Sequence, residues 1–167
     1  MLPAEDEIPE EISGTDWESV CYEVDKIKIG DDEEEVTAMD VSDKYVALQY
    51  HIEPHIDIFD KKDKKFLRRI EGHGFGGQCL KISGDILYSG SMDKTVRSWD
   101  LTSGRNIETI YNHVDYVQSL GLLPDRWVAS GGRGDKAIFV YETDSKGKLW
   151  RRHRFDGHEG NYESLSN

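Results

Sequence analysis

Short stretches of alternating or continuous apolar residues, separated by turn residues, run through residues 72–111. Such stretches predict β-strands rather than helices. The predicted strands read QCLKI, ILYSG, TVRSW and NIETI. Turns are predicted at 83–85, 92–94 and 102–104, where Ser, Gly, Asp and Thr cluster. No segment has a convincing helical period, so the pattern predicts an all-β fold.

A unit of this kind recurs along the chain. GHGFGGQCLKI at 72–82 aligns with NHVDYVQSLGL at 112–122 and with GHEGNYESLSN at 157–167. The histidines are 40 and 45 residues apart. A leucine follows each histidine by seven residues, at Leu80, Leu120 and Leu165. Four short strands in a repeat of this length are typical of one blade of a propeller.

The segments between the histidines also match one another. ILYSGSMDKTVRSWD at 86–100 aligns with WVASGGRGDKAIFVYE at 127–142, which has one extra residue in its second turn. YVALQYHIEPHIDIFD at 45–60 has the same outline, but its polar landmarks are lost. The repeat therefore extends over most of residues 36–167.

The Gly-His, Ser-Gly-Ser, Asp-Lys-Thr and Trp-Asp landmarks of these segments resemble the WD-repeat family. The resemblance is specific in 72–100, good in 112–158 and weak in 36–60. It implies a partial β-propeller built of four-stranded antiparallel blades, preceded by an acidic leader.

This resemblance also implies a division of the chain. The expected parts are an acidic leader at 1–35, a degenerate blade at 36–71, blades at 72–111 and 112–156, and the first strand of a further blade at 157–167. Within the leader, YEVDKIKIG at 22–30 is expected to form an outer strand of a preceding blade. Because repeat units bury their faces against neighbours, we expect this open stack to have two raw ends and to aggregate or associate. A fragment of a longer WD-repeat protein, a ring closed by self-association, and completion by another chain all stay open.

The resemblance further implies a hydrogen-bonded set of four side chains in a typical blade. In the second unit the matching residues are His73, Ser89, Asp93 and Trp99. Buried polar groups need partners, and an unpaired buried carboxylate is costly. Loss of one member is expected to cost about 1–3 kcal/mol.

The third and first units depart from this set. In the third unit, the same places hold His113, Ser130, Asp135 and Tyr141. In the first unit, Gln49 or Leu48 takes the Ser place, Glu53 the Asp place and Phe59 the Trp place. No Gly-His precedes the first unit, and we expect it to pack without the polar chain.

Charge is unevenly distributed along the chain. The net charge is −12, and residues 1–35 hold 14 acidic residues and two lysines. Residues 36–167 hold 19 acidic and 19 basic residues and are neutral. A neutral fold argues against nucleic acid as a partner. The leader is expected to be a solvated, largely disordered tail, with an acidic docking segment for a basic partner as the alternative.

Candidate catalytic and metal chemistry is weak. His, Ser and Asp together suggest a hydrolase triad, but they recur with the structural period and no G-x-S-x-G elbow is present. HIEPH at 51–55 is interpreted as a worn turn rather than a metal site. Cys21 and Cys79 have no metal-ligand spacing and are expected to be reduced structural thiols. We therefore expect no catalytic residue, metal or cofactor.

Two further motifs have simple interpretations. RGD at 133–135 looks like an adhesion tripeptide, but it is interpreted as the turn that holds Asp135, because the N-terminus does not read as a secretory signal. The basic runs at 61–69 and 150–154 are interpreted as solvated outer edges, with a partner-binding stripe as the alternative.

The family resemblance implies a rigid platform that binds peptides or domains on the face rimmed by its connecting loops. The function predicted is a non-enzymatic protein–protein interaction scaffold. The face residues predicted from family position are Phe75, Gln78, Met92, Tyr116, Gln118, Arg133 and Tyr162. One alternative is the substrate-recognition module of an F-box-type ubiquitin ligase, although no F-box is visible and only Arg133 suggests a phosphodegron face. The other is a propeller hydrolase.

The expected partners are other proteins or peptides, with self-association or completion by further WD blades. Nucleic acid and membrane are not expected, and no apolar run approaches the length of a membrane span. The expected location is the cytoplasm or the nucleus.

Overall fold

Three antiparallel sheets of four strands each make up residues 35–156, the part of the chain that the computed structural model describes. The first sheet contains β1 (Val36–Val41), β2 (Tyr45–Tyr50), β3 (His55–Asp60) and β4 (Phe66–Glu71). The second contains β5 (Gly77–Ser83), β6 (Ile86–Ser91), β7 (Val96–Asp100) and β8 (Asn106–Ile110). The third contains β9 (Val117–Leu123), β10 (Trp127–Gly132), β11 (Ala137–Thr143) and β12 (Leu149–Asp156).

The all-β prediction is confirmed. Within the described range, helical structure is limited to a 3-10 turn at Pro124–Arg126, between β9 and β10. The strands that were predicted at 22–30 and 157–167 lie outside the described residues.

Each sheet is a simple meander in which consecutive strands pair. The inner strands β1, β5 and β9 lie side by side, so the sheets are stacked around a common edge. One hydrophobic core, which includes Ile58, Leu87 and Trp99, joins the first and second sheets. Another, which includes Val128 and Tyr141, joins the second and third. Most of the stability of this arrangement comes from the faces that the sheets bury against one another.

Both ends of the stack expose apolar side chains, although part of the first end is buried. On the outward side of the first sheet, Leu48 and Phe59 are buried, with exposed fractions of 2% and 4%. On the outward side of the third sheet, Phe155 is 55% exposed. Phe155 pairs with Ile138 as Ile70 pairs with Ile56, and Ile70 is buried against the following sheet. The outward side of the first sheet also exposes apolar side chains, because Met39 and Phe66, which pair with Leu48 and Phe59, are 63% and 54% exposed. The expectation of two raw ends therefore stays a prediction.

Candidate functional site

A buried hydrogen-bonded chain crosses the second sheet. Trp99 Nε1–H donates to Ser89 Oγ over 2.7 Å, and Ser89 Oγ lies 2.7 Å from His73 Nε2. His73 Nδ1 lies 2.8 Å from a carboxylate oxygen of Asp93. Because the Trp99 indole can only donate, the Ser89 hydroxyl is left to donate to His73 Nε2, which places the imidazole proton on Nδ1, facing Asp93. Every polar group of the chain then has a partner.

Asp93 ties two loops together at one end of the sheet. It lies in the turn between β6 and β7 and accepts hydrogen bonds from the backbone N–H groups of Gly74 and Thr95, each over 2.9 Å. The Thr95 hydroxyl donates to it over 2.6 Å. Gly74 belongs to the loop before β5, so one carboxylate holds both loops in a fixed relation. This end of the sheet, where the β2–β3, β6–β7 and β10–β11 turns lie, is called the loop end below.

Burial and hydrogen bonding shift the pKa values of the ionisable groups in these hydrogen-bonded chains. Burial lowers the pKa of His73, against the opposing pull of Asp93. Burial alone would raise the pKa of Asp93, but the hydrogen bonds from His73, Thr95 and Gly74 outweigh it and hold this pKa well below its usual range. Burial also lowers the pKa of His113 in the third sheet. All three shifts favour a neutral imidazole beside a charged carboxylate.

We expect acid to destabilise the fold in two stages. A histidine with a lowered pKa binds fewer protons when folded, so its contribution is lost as the pH falls below about 6.5, the pKa of the unfolded state. Asp93, whose pKa is depressed, contributes a further loss as the pH falls below about 4. Urea unfolding followed by fluorescence at about pH 7.5, 5.5 and 3 would measure this. A midpoint that is flat or rises between the first two conditions would contradict the neutral state assigned to the histidines.

The third sheet repeats the chain with a tyrosine in place of the tryptophan. His113 Nε2 lies 2.7 Å from Ser130 Oγ, which lies 3.0 Å from the hydroxyl of Tyr141. His113 Nδ1 contacts Asp135, which also accepts the backbone N–H of Val114 over 2.7 Å. Tyr141 is fully buried, and burial raises its pKa. A tyrosine hydroxyl can donate or accept, so it supports the chain in either direction.

The first sheet lacks this chain, as its sequence led us to expect. Its register places Leu48 at the position of Ser89 and Phe59 at that of Trp99. Glu53, which was predicted at the Asp position, is exposed in the turn between β2 and β3.

A different buried polar cluster is present in the first sheet, and the sequence interpretation missed it. Asp57 is 3% exposed in the centre of β3. Its carboxylate accepts two hydrogen bonds from Arg69, over 2.8 and 2.9 Å, and one from the Tyr50 hydroxyl over 3.1 Å. One correction follows: Arg69 is not simply part of a solvated edge. An aspartate inside the apolar strand HIDIFD was the available signal.

His55 also requires a correction. It begins β3 and is 5% exposed, whereas the sequence interpretation placed it in a worn turn with His51. His51 is exposed. Across the described residues, no group of three or more His, Cys, Asp or Glu side chains is arranged to hold a metal ion.

The residues predicted to bind a partner lie at or next to the loop end. Phe75 is 65% exposed, and the N–H of Met92 donates to Gly76 O over 3.1 Å in the same region. The N–H of Arg133 donates to Tyr116 O over 2.8 Å, and its guanidinium lies 6.0 Å from the centre of the Tyr116 ring. Gln78 and Gln118 are half-buried at the start of their inner strands. Tyr162 lies outside the described residues.

Three exposed apolar residues at this end were missed by the sequence interpretation. Ile52, Tyr111 and Val114 are 80%, 77% and 66% exposed. With Phe75 they have the four largest exposed fractions among the large hydrophobic residues described. Each stands in a connecting loop, where sequence alone cannot separate an exposed apolar residue from one that packs beneath the loop.

The remaining candidates are less informative. Cys79 lies in the core between the second and third sheets, and burial raises the pKa of its thiol to about 12. Such a thiol is unreactive at neutral pH. Cys21 lies outside the described residues. None of the helical structure described is long and apolar enough to cross a membrane.

Comparison with known proteins shows which family these sheets resemble. The family model for the WD domain, G-beta repeat, matches residues 64–100. An uncharacterized WD repeat-containing protein of Schizosaccharomyces pombe is 28% identical over 96 residues, which are 53% of this chain and 26% of the relative. Protein groucho of Drosophila melanogaster is 34% identical over 92 residues, which are 53% of this chain and 12% of the relative.

Residues 64–100 therefore match the WD-repeat family model, and about half of the chain is similar to WD-repeat proteins. The chain spans about a quarter or less of the length of these two curated relatives. WD-repeat proteins are generally non-enzymatic scaffolds.

Solved structures agree with the fold. The crystal structure of the computationally designed Ika4 protein matches with a TM-score of 0.72 and 24% identity, over 86% of this chain and 87% of that one. The crystal structure of RRP9 WD40 repeats matches with a TM-score of 0.71 and 19% identity, over 83% and 43%. The three sheets are therefore WD-type blades of a partial β-propeller.

Proposed function

We propose that this WD-repeat chain is an intracellular, non-enzymatic scaffold that binds proteins or peptides at its loop end. The observation that carries the proposal is the concentration of Ile52, Phe75, Tyr111 and Val114 at that end, with exposed fractions of 65% or more. Exposed apolar side chains are costly to keep in water and mark contact surfaces when they gather. Aromatic residues among them are typical anchors of protein interfaces.

Rigid supports below the loops favour this proposal. Asp93 and Asp135 each bind a histidine and the N–H group that follows it, so the loops carrying Phe75 and Val114 are held by buried bonds. A loop that is already ordered loses little conformational entropy when a partner binds. Binding residues on a stiff frame therefore gain affinity without a large rearrangement.

The same geometry supports a non-enzymatic role. Ser89 and Ser130 are fully buried, and the hydroxyl of each is already engaged by a histidine and an aromatic residue. A serine nucleophile needs access to substrate, and these side chains have none. We propose that the two His-Ser-Asp sets connect sheets and do no chemistry.

We further propose that the outward face of the third blade is covered by self-association or by further WD blades. The face carries Leu123, Trp150 and Phe155, which are 41%, 38% and 55% exposed. Ile70 and Ile110, which take the place of Phe155 in the first and second blades, pack against the following sheet. Covering this face would remove the same kind of apolar surface from water.

Peptide selection on the immobilised full chain tests the binding proposal. The Kd of a selected synthetic peptide would be measured by fluorescence anisotropy. We expect Phe75→Ser and Val114→Ser each to weaken binding by roughly tenfold or more, and Arg133→Glu to weaken a peptide that contacts this side.

The matched control is Phe66→Ser, because Phe66 is 54% exposed but lies on β4, away from the loop end. Binding should be unchanged in this variant. If the peptide binds the four variants as tightly as the unsubstituted chain, or loses affinity only with Phe66→Ser, the loop end is not the interaction face.

A further inference from the structure

A lysine-rich turn joins β3 to β4 in the first blade. Its backbone is tightly built, because Asp60 N–H donates to Lys65 O over 2.8 Å and Asp63 N–H donates to an Asp60 carboxylate oxygen over 2.7 Å. Residues 61–65, named here the lysine turn, are all exposed and read KKDKK. Phe66 and Leu67 follow at once and are 54% and 43% exposed. The turn therefore presents four ammonium groups beside an apolar surface.

The equivalent turns of the other blades show what such a turn faces. In the second blade, a side-chain carbon added at Gly104 would lie 3.2 Å from Arg68 on the outer strand of the first blade. In the third blade, a carbon added at Gly147 would lie 3.0 Å from Ile107 on the outer strand of the second blade. Each of these turns thus packs on the outer strand of the preceding blade.

The lysine turn follows the same geometry. Asp60 N–H bonds to Lys65 O as Asp100 N–H bonds to Arg105 O, so Lys64 stands where Gly104 stands. Both residues have positive φ, 55° for Lys64 and 74° for Gly104. By repetition, the lysine turn faces the place of an outer strand that precedes the first blade. The leader directly precedes β1 along the chain.

The leader has the charge that this surface needs. Residues 1–35 carry a net charge of −12, while the charges of residues 36–167 sum to zero. At physiological salt, exposed charges attract over a Debye length of about 8 Å, so contact requires close approach. A tethered segment meets that condition readily, because the tether gives it an effective concentration in the millimolar range.

The position and length of the leader allow the contact. Glu35 O accepts the N–H of His51, so the leader joins the first blade, which also carries the lysine turn. The 34 residues before Glu35 can span up to about 110 Å when extended. From its attachment at Glu35, the leader is therefore long enough to reach the lysine turn.

We propose that residues 1–34 of the acidic leader bind the lysine turn of the same chain and neutralise it. Because the contact joins exposed charges, it is sensitive to salt.

Zero-length carbodiimide crosslinking of the full chain, followed by mass spectrometry, tests this proposal, because it joins a carboxylate only to a lysine that it touches. Lys146 and Lys148 are the matched control, since they lie in the equivalent turn of the third blade. We expect leader carboxylates to crosslink to the lysine turn roughly fivefold more often per lysine than to these two. About 1 M sodium chloride, which shortens the Debye length to about 3 Å, should remove the excess.

A charge-reversed variant and an isotope mixture complete the test. Lys61→Glu, Lys62→Glu and Lys64→Glu together should abolish the preference for the remaining Lys65, whereas Lys146→Glu with Lys148→Glu should leave crosslinking to the lysine turn unchanged. In a mixture of labelled and unlabelled protein, the crosslinks should join residues of one chain. Crosslinks that favour Lys94 or Lys136 at the loop end, that join two chains, or that spread evenly over the lysines would overturn the proposal.

Discussion

Asp93→Ala is expected to lower the free energy of unfolding by about 3 kcal/mol, within the range for removal of one partner from a buried charged network. The substitution leaves the His73 Nδ1–H and the backbone N–H groups of Gly74 and Thr95 without their acceptor. His73 is 5% exposed, so water cannot readily replace the lost carboxylate. Urea unfolding measures this loss when it is followed by tryptophan fluorescence, because Trp99 belongs to the same hydrogen-bonded set.

The same sheet provides a matched control for this prediction. Asp100 also lies at a turn and accepts N–H bonds, from Thr102 over 2.7 Å and Ser103 over 3.2 Å, but it does so at the surface. Asp100→Ala is expected to cost no more than about 1 kcal/mol, because water can take the place of the carboxylate. Equal losses for the two variants would show that the buried chain contributes nothing beyond ordinary turn stabilisation.

Gly76→Ala is expected to be at least as damaging, for a purely steric reason. A methyl carbon at this position would lie 1.7 Å from the backbone carbonyl oxygen of His51, in the neighbouring blade. Both atoms are held by backbone, so the contact can be relieved only by moving one sheet relative to the other. We expect a loss of about 3 kcal/mol or more, at the upper end for overpacking. Hydrogen exchange should show the loss concentrated between the first and second blades.

Gly74→Ala is the control for the steric argument. A methyl carbon there would lie 3.6 Å from the Cβ of Asp93, which is an ordinary contact, and Gly74 does not have a positive φ. Its cost should stay below about 1 kcal/mol. If Gly76→Ala unfolds no more easily than Gly74→Ala, the two blades are not in the close contact that the structure describes.

The repeat made much of the second blade accessible from sequence. Its strands lie close to the predicted segments because turn residues punctuate them, and His73, Ser89, Asp93 and Trp99 recur at a period that a propeller explains. The need for a glycine at position 76, by contrast, could not be predicted from the repeat. The equivalent position of the third blade is Tyr116, so the repeat itself does not demand a glycine. The demand comes from the turn at His51, which is particular to the first blade.

The first blade shows the same limit for polar groups. Its Ser and Trp positions are occupied by Leu48 and Phe59. The sequence analysis correctly predicted that this blade lacks the hydrogen-bonded chain of the other two. The bond between Asp57 and Arg69 depends on the register of β3 with β4, which places the two residues opposite each other. A shift of one residue would turn Asp57 to the other face of the sheet. Register is a property of paired strands and cannot be read from either strand alone.

By itself, the sequence determined the all-β class, the approximate strand lengths of the second blade and the side chains available for the buried hydrogen-bonded chains, because these follow from local periodicity and turn chemistry. The tertiary structure alone decided which faces are buried, where Gly76 meets its neighbour and which apolar loop residues remain in water. These depend on contacts between sheets that are distant along the chain. Packing between blades, unlike alternation within a strand, leaves no regular period in the sequence.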